Sequence, residues 1–230
     1  MEVSLSYSLS DFLLFTPHTY YRLFELFNRA IWPVHLVVAA LGLLLLVLLL
    51  RGGARSGRAI AGVLAACWLW VAWAFLFARY DPINFMARYA AIAFTAEALL
   101  LLVSGVVLNR LAPGTGFASR AGMVIVTFAL FVQPLFAPLS GRPWIQMEIF
   151  GLAPDPTVAA TLGALVAMRR VHVSLLVIPL AWCVATGLTQ WAMDAPDALL
   201  MPGLAVLAIG LAAWKASSGD AAEPGRSGHH

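Results

Sequence analysis

Glu97 stands inside an unbroken apolar stretch, Tyr89 to Leu108, and is its only ionisable interior residue. At helical rise it lies about 13 Å from the start of that stretch. A charged side chain at the centre of a membrane helix costs about 2.5–3.5 kcal/mol on insertion scales, so it must turn away from lipid. Tyr89, Ala93, Phe94, Leu101 and Ser104 share its face of the helix, and the small Ala93 leaves room beside the carboxyl. Two readings follow. Glu97 is the central charge or proton carrier of a cavity that handles a solute, or it is a carboxyl hydrogen-bonded to a neighbouring helix that only ties a bundle together.

Other polar residues recur at similar depth. His35, Gln133, Thr157, Thr161, Thr186, Thr189 and Gln190 all fall in one half of their apolar stretches, while the other half offers little beyond Ser104, Thr127 and Ser174. Isolated polar groups in hydrocarbon lack partners, so their concentration in one half predicts a shared cavity opening to that side. Taken singly, a threonine can satisfy itself by back-bonding to its own helix, and His35 suits a membrane interface. Two loops flank the same side. Arg142, Trp144 and Glu148 lie in the longest one and can form a lid, with Asp155 either in the site or capping a helix whose first residue is Pro156. Arg79 and Asp81 lie in the other, as an ion pair with Asp81 as a helix cap, or, with Arg88, as a collector of anions.

The elements that hold these residues follow from composition. Of 230 residues, 62% are hydrophobic and 11% charged, against about 25% charged in soluble domains. This excludes a disordered chain, a coiled coil and an ordinary soluble enzyme. Seven apolar spans can be laid out, at residues 31–50, 59–78, 89–108, 121–138, 156–168, 172–193 and 196–215. The fifth is short for a bilayer and reads as a half-helix or a span begun in irregular backbone. The expected fold is an all-α membrane protein, a seven-transmembrane-helix bundle with an N-terminal amphipathic interfacial helix. Its parts are a lead-in over 1–30, the membrane domain over 31–215 and a flexible tail over 216–230. In the lead-in, Ser8 and Asp11 form a capping-box signal, Thr16-Pro17 a helix start, and Tyr20, Phe24, Phe27 and Ile31 an apolar stripe.

Thirteen arginines and one lysine account for the basic residues, and they sit at segment ends. Arg51, Arg55, Arg58, Arg110, Arg120, Arg169, Arg170 and Lys215 fall on one side, and Arg22, Arg29, Arg79, Arg88 and Arg142 on the other. The positive-inside rule then puts the C-terminus in the cytoplasm and the N-terminus outside. The same scatter argues against nucleic acid as a partner. Cys67 and Cys183 lie in apolar runs without metal or disulfide spacing, and no HExxH, GxSxG, Walker or GxGxxG pattern occurs. No metal, cofactor or catalytic residue is expected. Lys215 sits at a helix end, unlike a Schiff-base lysine in mid-membrane.

The runs Ser8–Phe15 and Tyr20–Asn28, with Gly141-Arg142-Pro143-Trp144 and Gly151–Thr157, resemble an uncharacterised family of bacterial polytopic inner-membrane proteins, a domain of unknown function. The resemblance covers nearly all of the chain except its tail. It implies a bacterial inner-membrane location and no particular activity. The functional expectation is an outward-opening polar cavity that binds or transports a small solute. It is lined by Glu97, His35, Gln133 and Thr161, and lidded by Arg142, Trp144 and Glu148. The rivals are a membrane-embedded enzyme on a lipid or isoprenoid, and a sensor or assembly partner that docks a membrane protein or a second copy.

Overall fold

The computed structural model describes residues 16–220. The Ser8–Asp11 capping signal lies outside the described residues. Within them the architecture is all-α, without a β-strand. The helices, in chain order, are α1 (Pro17–Ala30), α2 (Val34–Arg51), α3 (Gly53–Tyr80), α4 (Met86–Val107), α5 (Phe117–Leu139), α6 (Pro154–Ala167), α7 (Val173–Ala192) and α8 (Leu200–Asp220). Six of them, α2, α3, α4, α5, α7 and α8, are long and apolar enough to cross a bilayer. The chain is thus a multi-pass membrane protein.

Local chemistry sets several boundaries. Thr16 caps α1, its hydroxyl accepting the Thr19 N–H at 3.3 Å, with Pro17 in the first turn. Tyr20, Phe24 and Phe27 are buried on one face of α1, where Phe24 stacks on Phe75 of α3 at 4.9 Å, while Arg22 and Arg29 stay exposed. Gly52 and Gly53 take φ of +66° and +84°, a turn that favours glycine, and α3 starts there. It therefore begins well before Ala59, and Arg55 and Arg58 ride on the helix itself, where long cationic side chains can reach the interface. Asp81 does not cap α4: the cap position is Phe85, and just before it Asn84 Oδ1 accepts the Met86 N–H at 3.1 Å. The last helix starts at Leu200, not Pro196, and runs past Lys215 to Asp220.

The short α6 is the centre of the molecule. Its 14 residues are all buried. At 1.5 Å per residue it is about 21 Å long, against a hydrocarbon core of about 30 Å. Its small residues explain how it fits. A Cβ on Gly163 would lie 2.7 Å from the Gly122 carbonyl oxygen and 2.9 Å from the Val126 nitrogen, so α5 and α6 pack backbone against backbone. Across from this seam Trp68 of α3 donates to the Thr161 hydroxyl at 2.8 Å, both fully buried.

Both ends of α6 are tied. At the start, Thr157 accepts the Gly151 N–H at 2.9 Å and donates to the Ala153 carbonyl at 2.7 Å. Ala153 occupies the cap position and Pro154 the first turn. Asp155 is thereby inside the helix and does not cap it, which removes the capping alternative. At the other end, where helical carbonyls lack partners, the Lys215 ammonium donates to the Val166 and Met168 carbonyls. The chain then continues extended, with Gly114 N–H donating to Ala167 O at 2.9 Å and Arg169 N–H to Ala112 O at 2.7 Å.

Candidate functional site

Asp155 points sideways from the first turn of α6 into α7. Its carboxylate accepts from Trp182 Nε1 at 2.7 Å, Thr186 Oγ1 at 3.0 Å and Gln190 Nε2 at 3.1 Å. Thr186 and Gln190 recur at helical spacing on one face of α7, so a single rotamer set can aim both at one acid. Above this triad a polar pocket is lined by Gln133, Arg142, Glu148, Asp155, Gln190 and Asp197, with Met201 at its floor. Its free volume is about 10 Å³, which is room for about one water molecule.

Each wall is positioned by a backbone irregularity. Pro134 lacks an N–H, and the end of α5 tightens over Gln133–Leu135 after a widened stretch over Phe128–Val132. Gln133 is turned inward there, 6% exposed, with its amide nitrogen 3.5 Å from the Met201 sulfur. Gly141 at φ +78° reverses the chain and brings Arg142 over the pocket. The guanidinium is held 4.0 Å above the Tyr21 ring and donates through Nε to Ser140 at 3.2 Å. It faces Glu148 and Asp197 at 3.9 Å each. Those gaps are too long for hydrogen bonds and suit a bridging molecule.

Glu148 and Asp197 therefore share one guanidinium, and Asp155 lines the same pocket. Burial holds the Glu148 carboxyl well above its ordinary range, and the neighbouring Asp155 and Asp197 push the same way against the opposing pull of Arg142. The pocket lining holds three acidic side chains against one basic one. The hydrogen-bonding account is also open: the buried oxygens Gln133 Oε1 and Gln190 Oε1 and the nitrogen Arg142 Nη1 have no partner. Two acceptor oxygens and one donor nitrogen in the pocket thus stand without partners.

A cover lies across this pocket. Asn28 of α1 donates to the carbonyls of Ile145 and Met147 at 2.8 and 2.9 Å, and Gln146 donates to Glu25 at 3.3 Å. Helix α1 and the loop after α5 thus close the mouth together.

The residues expected in the site divide accordingly. Gln133, Arg142, Glu148 and Asp155 meet in the pocket. Thr161 is engaged with Trp68 and the Thr157 carbonyl, deeper in α6. His35 approaches Asn28 Oδ1 at 3.4 Å, behind the cover. Trp144 is 62% exposed and stands outside the pocket. Asp81 pairs with Arg88 at 2.8 Å, not with Arg79, which is exposed. Glu97 is 0% exposed and neither of its oxygens has a hydrogen-bond partner. It lines neither this pocket nor the groove next to it. Asp197 and Tyr21 join the site without having been expected. Among the described residues no group of His, Cys, Asp and Glu is arranged to hold a metal ion.

A second space adjoins the site. Between α4 and α7 a groove of about 360 Å³ is lined by side chains such as Tyr20, Ala90, Ala93, Phe94, Ala181 and Trp182, and by no charged residue. Trp182 and Thr186 both form part of its wall while bonded to Asp155, so these two side chains stand between groove and pocket.

Comparison with curated proteins and with solved structures finds no match for the chain. A family profile described as a family of unknown function, DUF6064, matches residues 17–222. These residues include every helix described above up to and beyond the end of α8, and the chain belongs to the DUF6064 family.

Proposed function

We propose that this protein binds a small solute rich in hydrogen-bond donors, a primary amine being the chemistry that fits best, in the lidded pocket of Arg142, Glu148, Asp155 and Asp197. The observation that carries the reading is the charge and hydrogen-bond deficit of that pocket. An ammonium group would neutralise the excess carboxylate and supply donors to Gln133 Oε1 and Gln190 Oε1. Tyr21 and Trp182 would lie beside it, as aromatic faces often do beside organic cations. The 10 Å³ of free space corresponds to a closed state, so entry requires the α1 cover to lift.

In this reading α6 is a seventh, enclosed crossing in a bacterial inner membrane, and α1 lies along the outer interface. Arginine placement supports an outside N-terminus and cytoplasmic C-terminus, with the pocket facing outward. Proton exchange at Glu148 would accompany solute binding, because a bound cation favours the charged carboxylate.

The test is thermal stabilisation of the purified full chain by ammonium, methylamine and ethanolamine, with glycerol and acetate as controls. Amines are expected to stabilise the wild type in a saturable manner, and Gln133→Leu combined with Gln190→Leu to abolish it. Equal response to glycerol, or an undiminished amine response in the double variant, refutes the proposal.

The groove between α4 and α7 favours a second reading, binding or conversion of a lipid or isoprenoid whose chain lies in the groove. Ala181→Trp would fill it. Loss of a co-purifying lipid in that variant, with amine binding intact, would support this reading; unchanged lipid content would remove it.

A further inference from the structure

The end of the bundle opposite the pocket holds a cavity of about 400 Å³ between the start of α5, the end of α8 and the turn at Arg169. Gly114, Gly116, Ser119, Arg169, Trp214 and Lys215 line it, and among the described residues no acidic one does. Three features give it a donor-rich, positive interior. First, α5 begins without a side-chain cap, with Gly116 at the cap position. The first helical bond is Arg120 N–H to Gly116 O at 3.1 Å, so the N–H groups of Phe117, Ala118 and Ser119 have no helical acceptor. Second, Lys215 gives two donors to the end of α6, and an ammonium has three. Arg169 is exposed, with its backbone pinned to Ala112.

Third, Ser119 is only 2% exposed, yet its hydroxyl makes no hydrogen bond with any described residue. A Cβ on Gly114 would lie 2.6 Å from that oxygen, which places it against the glycine turn at the cavity wall. A hydroxyl at a cavity wall with no protein partner is free to bond a ligand there. Helix N-terminal amides, a guanidinium and a hydroxyl converging on one space are the donor set of a phosphate site. Phe117 and Trp214, in edge contact at 5.3 Å, stand beside it as an aromatic pair of the kind found at membrane interfaces.

We propose that this cavity binds a phosphate group, carried by an anionic lipid headgroup or as free inorganic phosphate. A lipid source suits a basic pocket between helices at the membrane face.

The test uses the purified full chain in neutral detergent, scored by native mass spectrometry and thermal shift. Phosphatidylglycerol, phosphatidylcholine and millimolar inorganic phosphate are added separately. The wild type is expected to retain phosphatidylglycerol about thirtyfold over phosphatidylcholine, as two nearby cations would give at about 1 kcal/mol each. Gly116→Asp is the decisive variant. Nothing lies within 4 Å of a Cβ there, and aspartate is a favoured helix cap, so the fold should hold while a carboxylate takes the amides and repels phosphate. Arg169→Gln should weaken retention, and Arg51→Gln, at the last residue of α2, should leave it unchanged. Stabilisation by inorganic phosphate that is lost in Gly116→Asp, without lipid preference, supports the site and assigns it to the soluble anion. No preference for either probe, or a preference that Gly116→Asp leaves intact, overturns the proposal.

Discussion

Replacing Glu97 by methionine should make the protein more stable. The carboxyl is wholly buried and both oxygens lack partners. A buried polar group without a hydrogen bond costs about 1–3 kcal/mol in protein substitution data. Methionine is of similar length, unbranched and adaptable, so it can occupy the same space without a cavity. The expected gain is therefore about 1–3 kcal/mol. For a chain of this size each kcal/mol moves the midpoint by about 2–4 °C, a rise of roughly 2–12 °C. Glu97→Gln retains an unpartnered polar group and should stay near the wild type. Intrinsic fluorescence of the eight tryptophans during heating in detergent measures all three. If Glu97→Met is less stable than the wild type by about 1 kcal/mol or more, the carboxyl has a bonding partner and the reasoning fails. If it is more stable but loses amine binding, Glu97 takes part in the site despite its separation from it.

Glu148→Gln tests the protonation of the pocket. The carboxyl is raised above its ordinary 4.5, chiefly by burial. The folded chain thus holds a proton that the unfolded chain releases. That contribution is fully present below about pH 4.5 and is lost as pH rises from there toward the raised value. Midpoints measured from pH 4 to 8 should fall in the wild type and flatten in the variant; parallel curves would contradict this. Gly163→Val should destabilise by about 1–3 kcal/mol or prevent folding, because its Cβ meets backbone atoms of α5 that cannot yield. Expression with a folding reporter and thermal midpoints would show it, and tolerance would mean the helices are farther apart. Lys215→Met should cost roughly 2–5 kcal/mol by stranding the Val166 and Met168 carbonyls. Chemical unfolding in mixed micelles measures this, with Lys215→Arg as the partial rescue.

The membrane character and the rough position of the long helices were legible in the sequence because twenty-residue apolar runs have few other uses. The concentration of polar residues in one half was legible too, and Gln133, Arg142, Glu148 and Asp155 do meet. Their partners were harder to read. Asp155 beside Pro156 carries a helix-cap signal, and only the packing of α6 on α7 shows that it serves Trp182, Thr186 and Gln190 instead. Asp197 and Tyr21 reach Arg142 from loops and helices far along the chain, a proximity that local spacing does not encode. Arg79 and Arg88 are equally plausible partners for Asp81 by charge, and the helical turn of α4 decides for Arg88. Asp194 and Asp197, two acids at the junction of the last two apolar stretches, were the signal available for Asp197.

A helix that touches lipid nowhere cannot enter a bilayer by partitioning alone. Fourteen residues flanked by tethered backbone give α6 little hold on the hydrocarbon until its neighbours surround it. The lysine that closes its far end follows it in the chain, at the far side of α7 and most of α8. The innermost element is therefore secured only after later helices have been made, and ribosome-bound chains halted before Lys215 should leave cysteines introduced at 154–167 open to labelling that the finished protein resists.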